Sequence, residues 1–254
     1  MAEELEVITV ATRSDDGALE LGRVRLLQES CARNGFRLSI LGAGETWRGF
    51  GTKLRLLREH IREYPEGALV LFTDAYDTMF LPCRDSIVSR FALFRSPIVF
   101  SAEKVCWPDG YLESLYPRST VTGASPGDSR IGALRPWPPF ESPFRFLNSG
   151  SYMGYAGAIR EALSELGPRD EDDDQRLWTR YFLLHPGKSS LDHGAALFHT
   201  LCHVLPDDFV VEKASPVRLL SRLTRSEPCV LHGNGPGWGT FLEIARRLRD
   251  LSWP

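Results

Sequence analysis

Short apolar runs and stretches of helical spacing alternate along the first part of this 254-residue chain. Val7 to Ala11 forms the first run and reads as a strand. Val24, Leu27 and Cys31 keep helical spacing until Asn34-Gly35 supplies a stop. Phe36 to Leu41 predicts a second strand, and Leu54, Leu57, Ile61 and Tyr64 mark one face of a helix ending at Pro65. The run from Leu69 to Phe72 follows, then a helix with Asp85 or Ser86 as its cap and Ile87, Phe91 and Phe94 on its inner face, then a strand from Pro97 to Ala102. The order βαβαβαβ predicts an α/β fold with a mainly parallel central sheet flanked by helices on both faces.

From about Trp107 to Pro143 the pattern breaks, with prolines at 108, 117, 126, 136, 138, 139 and 143. A long irregular segment inside a compact domain is often a binding loop, and an acceptor-side loop at about 107–145 is the expectation here, beside a plain insertion. Regular structure resumes at Phe146 to Tyr155, followed by a helix from Gly157 to Leu166. A further helix carries Leu177, Trp178, Tyr181 and Phe182 behind the acidic start Asp170-Glu171-Asp172-Asp173-Asp174. No repeat or linker interrupts the pattern, so 1–254 reads as a single domain.

Composition narrows the function classes. Hydrophobic residues make up 43% and charged residues 25%, ordinary for a globular protein, and a formal charge of -3 without a basic run gives no nucleic-acid footprint. The five cysteines lie far apart with no C-x-x-C pair, which argues against a zinc knuckle or a thioredoxin-type motif. The amino-terminal residues have no basic n-region or apolar h-region, and no stretch is long enough to cross a bilayer. The expectation is a chain without a membrane partner, placed in the cytoplasm.

Candidate chemistry begins where the run Leu69-Val70-Leu71-Phe72-Thr73 ends in Asp74-Ala75-Tyr76-Asp77. In open α/β sheets ligands bind beyond the carboxyl ends of the strands, and two acids placed there suit a hard cation shared with a diphosphate. The plainer reading is an Asx turn or a helix cap. A second apolar run, Cys229 to Leu231, ends in His232-Gly233-Asn234-Gly235-Pro236. His232 has the chemistry to complete a metal site, and glycines such as Gly235 would let backbone approach a diphosphate. For the acidic run, helix starts favour acids without any function, although so dense a cluster also suits a sugar-like or cationic partner.

An ordered set of segments then carries a family resemblance. Val7 to Thr12, Glu45-Thr46-Trp47-Arg48-Gly49, Lys53, Phe72 to Asp77, Trp107-Pro108-Asp109, Leu147-Asn148-Ser149-Gly150, Asp172 to Gln175, Leu191-Asp192-His193 and His232 to Pro236 together resemble the glycosyltransferase domain of the multifunctional procollagen lysyl hydroxylases. The resemblance covers nearly the whole chain and implies a GT-A-type fold. It implies Mn²⁺-dependent transfer of a hexose, glucose or galactose, from a UDP-sugar to hydroxylysine or galactosylhydroxylysine in collagen-like sequence. By matching position, Asp74, Asp77 and His232 would hold the manganese, Tyr76 would stack on the uracil, and Thr9 and Thr12 would line the uridine pocket. Lys53 would meet the diphosphate, Asp173 and Asp174 the sugar and acceptor, Asn234 the donor sugar, and Trp107 the acceptor.

Two departures accompany the resemblance. The glycine-rich stretch before Lys53 is shortened to Gly49-Phe50-Gly51-Thr52, and the span from about Thr120 to Pro143 matches poorly. None of the six histidines begins an H-x-D, so the two-histidine, one-carboxylate iron centre of a hydroxylase is not expected. The alternatives are a UDP-sugar transferase acting on another glycan or small molecule, and a nucleotide-sugar-binding module without turnover.

Overall fold

A computed structural model describes residues 5–12, 21–121 and 138–250. In chain order its elements are β1 (Leu5–Val10), α1 (Leu21–Arg33), β2 (Arg37–Leu41), α2 (Gly51–His60), β3 (Leu69–Thr73), β4 (Thr78–Phe80), α3 (Arg84–Leu93) and β5 (Ile98–Glu103). Next come β6 (Thr120–Val121), β7 (Phe140–Glu141), β8 (Phe146–Tyr155), α4 (Ala156–Leu166), α5 (Asp174–Leu184), β9 (Ser190–Leu191) and β10 (Phe198–Thr200). The chain closes with β11 (Phe209–Glu212), β12 (Arg218–Ser221), β13 (Val230–His232) and α6 (Trp238–Asp250). Most elements fall where the apolar pattern puts them. Residues 122–137 of the proline-rich segment lie outside the described residues.

The central sheet has six strands in the order β2-β1-β3-β8-β5-β9. β1 pairs in parallel with β2 and β3, and β5 with β9, while β8 runs antiparallel between β3 and β5. The expected sheet is therefore mainly parallel, with one reversed strand at its centre. β1, β3, β5 and β8 are buried at nearly every position because both faces are covered. Ile8, Val70, Phe72, Ile98 and Phe100 pack on one face with Leu54 and Leu57 of α2, Ile159 of α4 and Trp178 of α5. Val7, Leu69, Leu71 and Val99 pack on the other with Leu27 of α1, Ile87 and Phe91 of α3, and Phe198 and Val230.

Three local expectations are corrected. α2 ends at His60 rather than at Pro65, with Ile61 as its C-cap. α3 starts from Cys83 with no side-chain cap, and Ser86 Oγ donates back to the Cys83 carbonyl instead of capping. The run at Cys229 to Leu231 forms β13, but its sheet β10-β13-β4 was not expected, because β4 and β10, of three residues each, are too short to carry a period.

Two devices then shape the carboxyl edge of the central sheet. Between β5 and β8 the register jumps from Phe100↔Tyr152 to Ser101↔Asn148, leaving Ser149, Gly150 and Ser151 out of that pairing. Bulges of this kind re-aim side chains, and this one turns Asn148 and Gly150 toward the end of β3. In the second sheet β13 runs antiparallel to β4 with His232 opposite Thr78, and Gly233 N donates to the Asp77 carbonyl at 2.7 Å.

Candidate active site

The strand exit at Asp74 and Asp77 becomes a three-donor cluster through that second sheet. Because β4 begins directly after Asp77 and pairs with β13, His232 is delivered to the same point. A carboxylate oxygen of each aspartate and an imidazole nitrogen of His232 all lie within 4.8 Å of one another. Nε2 of His232 is 3.4 Å from Asp77 Oδ2 and 3.7 Å from Asp74 Oδ2. The backbone N–H of Asp74 donates to the Gly150 carbonyl at 2.8 Å, continuing the β3–β8 ladder past the end of β3.

The other face of the imidazole shows why it is held this way. His232 Nδ1 lies 3.1 Å from Asn148 Oδ1, and that oxygen also accepts from the Gly150 N–H at 3.1 Å. An amide oxygen only accepts, so the network assigns the proton to Nδ1 and turns the Nε2 lone pair toward the carboxylates. Asn148 is oriented in turn by its Nδ2, which donates to Glu103 Oε1 at 3.2 Å. Such support is what fixes the tautomer of a metal-binding histidine. Two carboxylates and an imidazole with its lone pair directed at them fit a divalent cation by donor chemistry.

Charge in the cluster is balanced locally. Burial works against a charge on His232, but Asp77 and Asp74 outweigh it and hold the imidazole above the usual histidine range. Burial likewise pushes the Asp77 carboxyl up, while His232 and Lys53 outweigh it and hold the group below its ordinary value. A proton on His232 or a divalent cation would satisfy the two negative charges, so cation uptake here would be coupled to proton release.

Lys53 is the buried cation of the site. Its Nζ is 2.9 Å from Asp74 Oδ1 and 2.7 Å from Asp174 Oδ2, the second contact an ion pair rather than an aligned hydrogen bond. Burial opposes its charge, and the two carboxylates more than offset that, raising the ammonium above its ordinary value. The pairing depends on how α2 begins. Gly51 N donates to the Asp172 carbonyl at 2.7 Å, and a Cβ on Gly51 would overlap the Arg169 carbonyl oxygen, so only glycine permits this approach. One turn of α2 brought against the start of α5 sets Lys53 opposite Asp174.

The acidic run separates into distinct roles. Asp173 is the N-cap of α5, accepting from Arg176 N at 2.9 Å, which is the plainer helix-start reading for that residue. Asp170 pairs with Arg55 at 2.7 Å and Asp172 with Arg169 at 3.0 Å. Asp174 alone of these four is buried at Lys53.

The remaining candidates are spread around this centre. Thr9 is fully buried and donates to the Thr73 carbonyl at 2.6 Å, so it ties β1 to β3 rather than presenting a free hydroxyl to a uridine pocket. Thr12 is buried at the end of β1. Tyr76 is partly buried against the cluster of Ala11, Val24 and Ala75. Asn234 Oδ1 accepts from the N–H groups of Leu201 and Cys202 at 3.0 Å each, and its Nδ2 donates to Glu103 Oε2 at 3.0 Å, which makes it a buried brace. Gly235 has φ +54 and opens the short helical turn Gly235–Gly237. Trp107 is 66% exposed, with its carbonyl accepting from Gln175 Nε2 at 2.8 Å.

Sequence reasoning had assigned no role to Glu103, Asn148, Gly150 or Gln175. Gln175 Nε2 also donates to Glu103 Oε1 at 2.8 Å, so Glu103 joins Asn148, Gln175 and Asn234 beneath the cluster. Burial raises the Glu103 carboxyl above its ordinary value, against the pull of those amides. The signal available was the succession Asn148-Ser149-Gly150-Ser151, three polar residues and a glycine, inside β8, a strand buried at nearly every position.

A solved glycosyltransferase involved in the glycosylation of the major capsid of PBCV-1 superposes with a TM-score of 0.51 at 9% identity, covering 95% of this chain and 98% of that one, so the fold is GT-A-like. The multifunctional procollagen lysine hydroxylase and glycosyltransferase LH3 of Homo sapiens is 31% identical over 249 residues, 92% of this chain and 30% of that protein. The procollagen-lysine,2-oxoglutarate 5-dioxygenase 1 of Gallus gallus is 30% identical over 249 residues, with the same coverage. The chain thus spans about 30% of the length of these relatives. The family model described as the PLOD GT domain matches residues 1–124 and 133–248, and with the Asp74, Asp77 and His232 cluster at the sheet edge this chain belongs to the PLOD GT domain family.

Proposed function

We propose that this protein is a Mn²⁺-dependent hexosyltransferase that takes a UDP-sugar, glucose in preference to galactose, and passes the hexose to a hydroxylysine-linked acceptor such as galactosylhydroxylysine in collagen-like sequence. The observation that carries the reading is the convergence of Asp74, Asp77 and His232 with the Nε2 lone pair directed at the carboxylates. These three would hold the cation, which supplies charge stabilisation to a departing diphosphate when bound. Lys53, already beside Asp74, adds a fixed positive charge where negative charge develops on UDP. Tyr76 and Thr12 would flank the nucleoside, Gly235 would allow a close backbone approach, and Trp107 would face the acceptor. Asn234 and Thr9 serve this site by bracing it, and Asp174 by fixing Lys53.

Calorimetric titration of UDP with and without Mn²⁺, on the parent and on Asp77→Ala, tests the metal assignment. Mn²⁺ should strengthen UDP binding to the parent and do nothing for the variant; equal affinity under all conditions sinks it. A UDP-release assay over a panel of UDP-sugars, with and without a galactosylhydroxylysine peptide, tests donor and acceptor, and release that ignores the peptide would reject that acceptor.

A further inference from the structure

The shortened stretch ahead of Lys53 carries one large apolar side chain, Phe50, with 54% of its surface exposed. Phe50 is the N-cap position of α2, between Gly49 and Gly51. Both glycines are pressed against the backbone before α5: a Cβ on Gly49 would stand 2.5 Å from the Asp170 carbonyl oxygen, and one on Gly51 would overlap that of Arg169. The residue between them is therefore held rigidly, while much of its ring stays uncovered by protein.

Two neighbours define where the ring stands. Trp47, itself 41% exposed, meets it edge-on with centroids 5.5 Å apart. Lys53 Nζ, the ammonium that reaches Asp74 and Asp174, is 5.3 Å from the centroid of the Phe50 ring. An exposed aromatic face on a closely packed backbone thus borders the buried charges of the site.

We propose that Phe50 is the platform on which the hexose of a nucleotide-sugar donor packs, a specificity-determining residue that rests on the donor reading above. A pyranose has an apolar C–H face and hydroxyl-bearing edges. Stacking removes the C–H face and the aromatic ring from water together and asks no hydrogen bond of the ring. The position favours the hexose over the nucleobase. Phe50 stands beside Lys53, which pairs with Asp74 and Asp174 where the diphosphate and its sugar would lie, whereas Tyr76 packs against the separate cluster of Ala11, Val24 and Ala75.

The test measures Mn²⁺-supported affinities for UDP and for UDP-glucose by calorimetry on the parent, Phe50→Ala and Phe50→Trp. Phe50→Ala should weaken UDP-glucose by about threefold to tenfold while leaving UDP within twofold, since a stacked ring contributes that much. Phe50→Trp, which keeps a flat ring, should retain the parental ratio of the two affinities. An unchanged ratio in Phe50→Ala overturns the proposal, and so does an equal loss for both ligands, which would put the ring on the nucleotide or on Lys53 alone. If the parent shows no Mn²⁺-dependent binding of either ligand the donor reading itself falls, a result distinct from parental binding that Phe50→Ala leaves intact.

Discussion

At the residue scale, the site turns on how closely backbone can approach an imidazole. A Cβ on Gly150 would overlap His232 Cε1 and stand 2.8 Å from Asp74 Oδ2. Neither neighbour is a free chain end: His232 is fixed by Asn148 and Asp74 by Lys53. Gly150→Ala should therefore displace the metal-binding donors and lower Mn²⁺-supported UDP affinity by about tenfold or more, the usual cost of disturbing the support of a metal ligand. Calorimetry on that variant checks this, with thermal unfolding alongside to show that the fold persists. Parental affinity would mean that His232 has room to shift and that the close approach carries no function.

At the element scale, the start of α5 joins a local role to a distant one. Asp173 caps the helix, so Asp173→Ala should cost about 1 kcal/mol of stability and leave turnover nearly unchanged. Asp174 belongs to α5 in sequence but to α2 in contact, because the glycines at the start of α2 let Lys53 reach it. Asp174→Asn removes one of the two carboxylates beside a buried ammonium, a change worth about 1 to 3 kcal/mol. Turnover should fall far more than UDP affinity, as expected when a group positioned for the transition state is disturbed. The pair of variants is read by kcat, UDP affinity and melting temperature measured on the same preparations. Parental turnover in both would leave Asp174 a structural partner of Lys53 with no part in transfer.

At the scale of the whole molecule, the second sheet holds a buried histidine that couples the fold to pH. His199 on β10 lies 2.9 Å from the Thr200 carbonyl through Nδ1 and 2.9 Å from Ser221 Oγ through Nε2. Burial lowers it from 6.5 to about 4, with Lys104 acting in the same direction and Asp208 against it. The folded protein thus binds this proton more weakly than the unfolded chain does. The resulting stability is fully present above pH 6.5 and is lost as pH falls toward about 4, by at most about 3 kcal/mol. Asp192, raised to about 6 by burial against three backbone N–H donors, works in the opposite direction, so a variant is needed to isolate the histidine. As pH falls from 6.5 to 4, the melting temperature of His199→Gln should rise relative to that of the parent, because the variant lacks the histidine's loss and keeps the Asp192 contribution. A variant with the parental slope would assign the acid sensitivity elsewhere.

Much of this molecule is legible in its linear pattern, for physical reasons that differ by element. β1, β3 and β5 are buried on both faces, so each appears as a mainly apolar run, and Asn34-Gly35 stops α1 through a backbone at φ +63 that glycine tolerates. The pair Asp74 and Asp77 at the exit of β3 is equally local, as is the cap at Asp173. Tertiary structure alone decided the rest. The direction of β8 depends on which strands flank it, and β4 and β10 are too short to show a period. His232 meets Asp77 only because β13 pairs with β4, and Lys53 meets Asp174 only because Gly49 and Gly51 let the start of α2 touch the backbone before α5. Residue types and spacing determine which segments form strands and where charged groups leave them. Which of those groups face one another is set by long-range pairing and close packing, and neither leaves a periodic trace along the chain.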